Sequence, residues 1–216
     1  MNVEDSKAMI KKLSKNNSVD EIERLLEEMI EQGEYNPELL LRLALLELVP
    51  PIKDYYKSIK CIETILKHEE NIYAILVLAD IHHNYLGGVN EYTFDKLNSI
   101  VVDNNEIHAL VEYSKSWYFQ DIGETEEYEK CLLNSIKCCD RFVLNNFELG
   151  QYYMDHNQEH KGKEYIQRAI DNVMKVYEEN FVIEDLTDIE EYINEMYKGI
   201  HLSKQVFDWI KSYLDK

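Results

Sequence analysis

Glycine and proline are scarce in this chain of 216 residues, which contains 7 Gly and 3 Pro. Average usage in a chain of this length gives roughly 15 Gly and 11 Pro. Because most turns require one of these residues, their scarcity favours long helices joined by short connections. No stretch alternates apolar and polar residues for long enough to predict a strand. The composition therefore predicts an all-α protein.

The charged residues are unbalanced: 23 Lys and Arg are outnumbered by 42 Asp and Glu, for a formal charge of −19. A surface this negative repels phosphate groups, so nucleic acid and anionic membrane lipid are not expected partners. The same charge accelerates the encounter with a basic partner. The alternative explanation is that the charge only keeps an exposed helical surface in solution.

Neither a secretory signal nor a membrane span is expected from the sequence. Residues 1–7 have no basic start and no apolar core, so no secretory signal is expected, and no stretch is long enough to span a bilayer. The cysteines show no C-x-x-C pair and no disulfide framework. They are interpreted as reduced residues of a cytoplasmic protein. These cysteines are Cys61, Cys131, Cys138 and Cys139.

Helix start and stop signals predict about twelve helices. Asn36 followed by Pro37 is a start signal, with Asn as the cap and Pro in the first turn. Ser18 and Glu21 have the spacing of a capping box. Short loops between the helices predict six antiparallel pairs. The approximate predicted spans are 3–16, 19–32, 37–48, 53–68, 72–86, 91–102, 106–121, 125–139, 141–155, 159–180, 188–200 and 203–214.

A sequence echo at a spacing of about 34 residues marks the second half of the chain, and this is the length of one helix–turn–helix repeat. The echo is formed by small and apolar residues at matching offsets. One copy holds Leu149, Gly150, Tyr153, Gly162, Ile166 and Ala169, and the copy before it holds Ser116, Phe119, Tyr128, Leu132 and Ser135. The small residues at 150, 162 and 169 indicate a place where two helices cross closely.

These residues resemble the tetratricopeptide repeat, and the best-matching units are 109–142 and 143–176. The resemblance implies an α-solenoid of about six antiparallel helix pairs in a right-handed superhelix. Earlier units keep the length but lose most small residues, so irregular packing is expected toward the N-terminus. Helices at about 187–214 are expected to cap the apolar stack. No Gly, Ser or Pro linker divides the chain, which predicts one domain over residues 1–216.

The resemblance also implies that a protein or peptide binds in a concave groove lined by the first helix of each pair. The predicted partner-binding residues of the two best units are Leu110, Tyr113, Trp117, Asp121, Leu144, Phe147, Gln151 and Asp155. Aromatic anchors beside acidic groups suit a peptide with apolar and basic side chains. The alternative is that Tyr113 and Phe147 pack between neighbouring helices.

Catalytic and cofactor motifs are not evident. His156, Glu159 and His160 match the H-x-x-E-H pattern of inverted zinc peptidases, but the two histidines are predicted to flank a turn and no third ligand is apparent. The sequence shows no Gly-rich phosphate loop, nucleophile elbow or C-x-x-C metal pair. No catalytic residue, metal ligand or cofactor is therefore predicted.

The densest acidic block runs from Glu178 to Glu195, with eight acidic residues and no Lys or Arg. It is either a solvated loop and helix start or a docking surface for a basic partner.

The leading hypothesis is a non-enzymatic adaptor or chaperone-like scaffold that binds a protein or peptide of basic character. An acidic antidote that masks a basic partner is the first alternative, and a metal-dependent hydrolase is a remote one. The oligomeric state is left open.

Overall fold

The computed structural model describes residues 3–16, 18–176, 184–194 and 204–214. Within these ranges all the regular elements are helices, so the expected all-α class is confirmed. Twelve helices are present there: α1 (Val3–Lys15), α2 (Val19–Gln32), α3 (Pro37–Leu46), α4 (Tyr55–His68), α5 (Ile72–Tyr85), α6 (Glu91–Ser99), α7 (Asn105–Ile122), α8 (Thr125–Cys138), α9 (Val143–Asp155), α10 (Glu159–Val176), α11 (Ile189–Ile193) and α12 (Lys204–Ser212).

Asparagine side chains cap the N-termini of several of these helices. The Asn36 side chain accepts hydrogen bonds from the N–H groups of Glu38 and Leu39, and Pro37 is the first residue of α3. Asn90 and Asn104 cap α6 and α7 in the same way. Each cap satisfies amides that have no partner inside their own helix.

The predicted capping box at the start of α2 is wrong. The Ser18 side chain makes no capping hydrogen bond, and its backbone (φ −88°, ψ 62°) departs from the extended conformation usual for that position. The helix nevertheless begins at Val19, because it buries Ile22, Leu25 and Leu26 on one face.

The chain divides into two compact units, and the division falls within α5. Unit 1 comprises residues 1–81 and 182–192, and unit 2 comprises residues 82–181 and 193–216. The expectation of a single domain over residues 1–216 stays a prediction. The predicted ends of α10 beyond residue 176 and of α11 beyond residue 194 lie outside the described residues.

The core of unit 1 is built on α3 and α5, which are apolar on almost every side. All residues from Ala74 to Ile81 are buried, as expected for a helix with neighbours all round. α3 packs against α2 and α4, and the Ser58 hydroxyl of α4 donates a 2.8 Å hydrogen bond to the Ala44 carbonyl of α3. This bond satisfies a polar group that is shielded from water.

In unit 2, α7 packs against α8 and α9 packs against α10. α9 and α10 cross closely at Gly150 and Gly162. A Cβ at Gly150 would lie 2.6 Å from Ile166 Cγ1 and 3.0 Å from the carbonyl oxygen of Gly162. Ala169 has no exposed surface. Gly150 and Gly162 of the sequence echo therefore lie where two helices approach closely, as predicted, and Ala169 is buried in the same helix pair.

Within the ranges that the structure covers, no helix combines the length and the apolar character needed to cross a bilayer.

Candidate functional site

Unit 2 contains a cavity of about 660 Å³ beside α7 and α9. Its wall comes from the C-terminal ends of α5 and α7, the start of α8 and one face of α9. The lining residues are His83, Phe119, Gln120, Asp121, Gly123, Thr125, Tyr128, Glu148, Gln151, Tyr152, Asp155 and His156. Three of the eight predicted binding residues, Asp121, Gln151 and Asp155, are among them.

Local sequence explains how these side chains come together. Glu148, Gln151 and Asp155 are separated by three and four residues on α9, which places them on one face of the helix. Gly123 ends α7 in the left-handed conformation (φ 81°), which glycine adopts without a Cβ clash. Asp121, two residues before this glycine, lies at the wall of the cavity.

Glu148 is held by two tyrosine hydroxyls. The Tyr113 hydroxyl donates to Glu148 Oε1, and the Tyr128 hydroxyl donates to Oε2 at 3.4 Å. Burial raises the pKa of Glu148 from its ordinary 4.5 to about 7, although both hydrogen bonds oppose the shift. Burial and the nearby carboxylate also raise the pKa values of both tyrosines. The carboxyl group therefore titrates near neutral pH while the phenols stay protonated.

A second cluster of side chains at the cavity wall is centred on His83. Its ring stacks on Trp117 with centroids 4.7 Å apart and an angle of 4° between the planes. His83 Nδ1 lies 3.6 Å from Asp121 Oδ2, which also accepts a 2.9 Å hydrogen bond from the Val89 N–H. Burial lowers the pKa of His83 against the opposing effect of Asp121, so burial disfavours a positive charge on this imidazole.

The cavity wall is therefore negative and aromatic. Asp121, Glu148 and Asp155 contribute carboxyl groups, and its lining contains no Lys or Arg. Tyr128 and Tyr152 supply aromatic rings, 5.7 Å apart between centroids. Carboxylates and aromatic rings together favour a cationic ligand, such as a lysine or arginine side chain.

The other predicted binding residues lie elsewhere. Leu110, Tyr113, Trp117 and Phe147 are buried, and Leu144 is half-buried. The Phe147 ring contacts the rings of Trp209 and Tyr213, at centroid distances of 5.0 and 5.4 Å, so the last described helix and the turn after it cover this part of α9. Phe147 packs between elements of unit 2, which is the alternative that the sequence left open for Tyr113 and Phe147. The binding role of the eight residues stays a prediction.

Sequence reasoning missed Glu148, Tyr128 and Tyr152 as residues of the cavity wall. The adjacent His82 and His83 must point apart, which predicts one groove residue and one packing residue, and His83 is the one at the wall. A signal for Glu148 was present, since it lies four residues after Leu144 and seven before Asp155 on the same predicted face. That His83 shares a cavity with residues of α9 has no local signal, because α5 is distant from α9 in sequence.

The H-x-x-E-H residues have other partners. His156 Nδ1 donates to the Tyr152 carbonyl at 2.7 Å, and His160 lies 3.5 Å from Glu164. Glu159 pairs with Lys163 at 2.6 Å, which lowers the pKa of its carboxyl group. In the part of the chain that the structure covers, no group of three or more His, Cys, Asp or Glu could hold a metal ion.

The fold is similar to solved structures of MamA, a tetratricopeptide-like helical-repeat protein. One crystal structure of MamA is 15% identical, with a TM-score of 0.62 over 81% of this chain and 96% of that chain. A MamA structure from Desulfovibrio magneticus RS-1 is also 15% identical, with a TM-score of 0.60 over 79% of this chain and 94% of that one. No protein-family model and no curated protein sequence matches the chain. The protein therefore has the fold of a helical-repeat α-solenoid.

Proposed function

We propose that this protein is a non-enzymatic protein-binding scaffold, and that the cavity of unit 2 receives a lysine or arginine side chain from a partner's peptide. The observation that carries the proposal is the wall of the cavity, which holds three carboxyl groups and aromatic rings but no Lys or Arg. The solenoid fold supports it, because stacked helix pairs present extended surfaces suited to polypeptide ligands.

The three carboxyl groups differ in what they offer a cation. The Asp121 side chain is only 26% exposed and is positioned by the Val89 N–H, so little rotamer freedom is lost on binding. Asp155 is exposed and adds charge at the wall. Glu148 is held by Tyr113 and Tyr128 and becomes fully charged only above its pKa of about 7. A hydrogen bond between a charged donor and a carboxylate contributes about 1.5–3 kcal/mol.

The proposal includes a cytoplasmic location for the protein. All four cysteines are free thiols, and three of them are buried. Burial raises the pKa of Cys61 to about 11 and that of Cys131 to about 12, so both stay protonated and unreactive. These features support a cytoplasmic scaffold, in which free cysteines serve as core residues.

The test is peptide binding to the full chain. The probes are labelled 12-residue peptides that differ only at one central position, which is Lys, Arg, Gln or Glu. We expect the Lys and Arg peptides to bind and the Gln and Glu peptides to bind at least about tenfold more weakly. Asp121→Asn with Asp155→Asn should abolish this preference, because the amides keep the shape but lose the charge.

The matched control is Asp171→Asn, which makes the same substitution on α10, outside the cavity lining. This variant should bind like the original protein. Equal binding of the Gln and Lys peptides, or an equal effect of Asp171→Asn, would refute the cavity as the recognition site.

A second candidate, an acidic antidote that masks a basic protein, is favoured by the net charge of −19. Such a complex depends on the whole negative surface, so its association rate should fall steeply as salt increases. It should also be insensitive to Asp121→Asn, and this separates it from the cavity proposal.

A further inference from the structure

A short acidic segment returns to the N-terminal helices in unit 1. This returning segment, residues 184–192, is the part of the acidic block that is both described and assigned to unit 1, whereas residues 178–183 and 195 of the block lie outside the described residues. Asp185 is 2% exposed and Thr187 is 1% exposed. Of the two alternatives for the acidic block, a solvated loop does not describe Asp185 and Thr187, which are buried.

Arg42 of α3 is the anchor of the returning segment. Its Nη1 donates to Asp185 Oδ2 and to Thr187 Oγ1, both at 2.9 Å. Asp185 Oδ1 in turn accepts from the Thr187 N–H at 2.9 Å and from its hydroxyl at 2.8 Å. Asp185, Thr187 and Arg42 therefore satisfy one another in a buried cluster, which is the condition for keeping a charged pair out of water.

Further contacts on both sides of Arg42 hold the returning segment against unit 1. Lys11 and Lys15 lie four residues apart on α1 and face Glu184, at 3.6 and 3.5 Å. The Ser14 hydroxyl accepts a 3.2 Å hydrogen bond from the Leu186 N–H. The Tyr192 hydroxyl donates to Asp80 of α5. The segment thus contacts α1, α3 and α5, which are the first helices of the first three pairs.

Apolar residues of the segment add to these polar contacts. Leu186, Ile189 and Tyr192 pack against the core of unit 1. The segment does not fill the space available to it, because a cavity of about 360 Å³ remains between it and α1, α3 and α5. Lys7 and Tyr73 are among the residues that line this cavity. A bulkier segment of similar charge can therefore be accommodated.

We propose that this face of unit 1 is a binding site for acidic peptide segments in which an aspartate, and a threonine two positions later, both meet Arg42. The returning segment occupies the site in cis, and a partner segment of the same chemistry displaces it. Charge complementarity carries the assignment: Lys11, Lys15 and Arg42 pair with Glu184 and Asp185 of the segment in a protein whose formal charge is −19. Lys7 lies at the same cavity and pairs with Glu38, which also lies 3.4 Å from Arg42 Nε. This site is separate from the cavity of unit 2 and takes a ligand of the opposite charge.

The test uses the full chain and a synthetic, fluorescently labelled peptide spanning residues 184–194. In the original protein the tethered segment competes at an effective concentration in the millimolar range, so the peptide should bind weakly. Asp185→Ala with Thr187→Ala in the chain releases the competitor, and the peptide should then bind at least about tenfold more tightly. Gain of binding is diagnostic, because a change that merely damages the fold weakens binding.

Two controls complete this experiment. Glu190→Ala removes an exposed acidic side chain from the same segment and should leave peptide binding as weak as in the original chain. Addition of Arg42→Gln to the released variant should abolish the gain. The proposal is overturned if the released variant binds no more tightly than the original, or if Arg42→Gln leaves the gain intact.

A second measurement covers the case in which the released variant fails to fold. Excess peptide is added to the original chain, and backbone hydrogen exchange of the chain is followed by mass spectrometry. The peptide is made from isotope-labelled amino acids, so that its mass differs from that of the same segment in the chain. Displacement predicts that backbone exchange in residues 184–192 becomes faster with increasing peptide. Unchanged exchange at saturating peptide would show that the segment is a fixed part of unit 1, and the proposal would be wrong.

Discussion

Replacement of Gly150 by alanine tests the close crossing of α9 and α10. A Cβ at this position would lie 2.6 Å from Ile166 Cγ1, 3.0 Å from the Ile166 nitrogen and 3.0 Å from the Gly162 carbonyl oxygen. Two of these three atoms belong to the backbone of α10, so a change of rotamer cannot relieve the contact. The helices must move apart, or the packing around them must distort.

Two opposing effects set the magnitude. Alanine in the interior of a helix is favoured over glycine by about 1 kcal/mol, whereas overpacking a tight core costs about 1–3 kcal/mol. Because the clash involves backbone, we expect the upper part of that range and a net loss of about 1–2 kcal/mol of unfolding free energy. The melting temperature should fall by about 2–8 °C.

The assay is urea and thermal unfolding followed by circular dichroism, with Gly150→Ala and Gly150→Val compared with the original chain. The loss should grow from alanine to valine, since valine adds two methyl groups at the same contact. A Gly150→Ala variant as stable as the original, or more stable, would show that helix propensity dominates and that the crossing is not tight. The reasoning about the small residues of the repeat would then fail.

Two further predictions concern buried polar groups of unit 2. The Ser135 hydroxyl donates to the Ala109 carbonyl at 2.7 Å and accepts from Asn145 Nδ2 at 3.0 Å. Ser135→Ala should therefore lower the free energy of unfolding in urea by about 1–3 kcal/mol. The control, Ser99→Ala at an exposed position, should change it by no more than about 0.5 kcal/mol. Because the pKa of Glu148 is raised to about 7, its contribution to stability is present below about pH 4.5 and is lost as the pH rises from there to about 7. Glu148→Gln should remove this part of the pH dependence of the melting temperature.

Clear results would contradict each of these predictions. Equal losses for Ser135→Ala and Ser99→Ala would mean that the buried hydrogen bonds contribute nothing net. A Glu148→Gln variant whose melting temperature changes with pH as the original does, between pH 4.5 and 8, would mean that Glu148 does not titrate in that window.

Local sequence determined the helices. Scarce Gly and Pro, together with caps such as Asn36 and Asn90, predicted twelve helices whose observed bounds differ by only a few residues where they are described. This succeeds because capping and apolar periodicity act within a few residues of the chain. Gly150 and Gly162 could also be assigned to a helix crossing, since close approach of two backbones leaves a local requirement for small residues.

Tertiary structure alone decided which side chains remain accessible and which distant ones meet. Trp117 and Phe147 stand on the predicted groove face, but packing against His83 and against Trp209 places both inside unit 2. Glu148 acquired its raised pKa only through burial beside the hydroxyls of two other helices. Arg42 and Asp185 meet across 143 residues, and no periodicity specifies such a contact. Helix formation depends on near neighbours, whereas burial and charge pairing depend on how the helices pack.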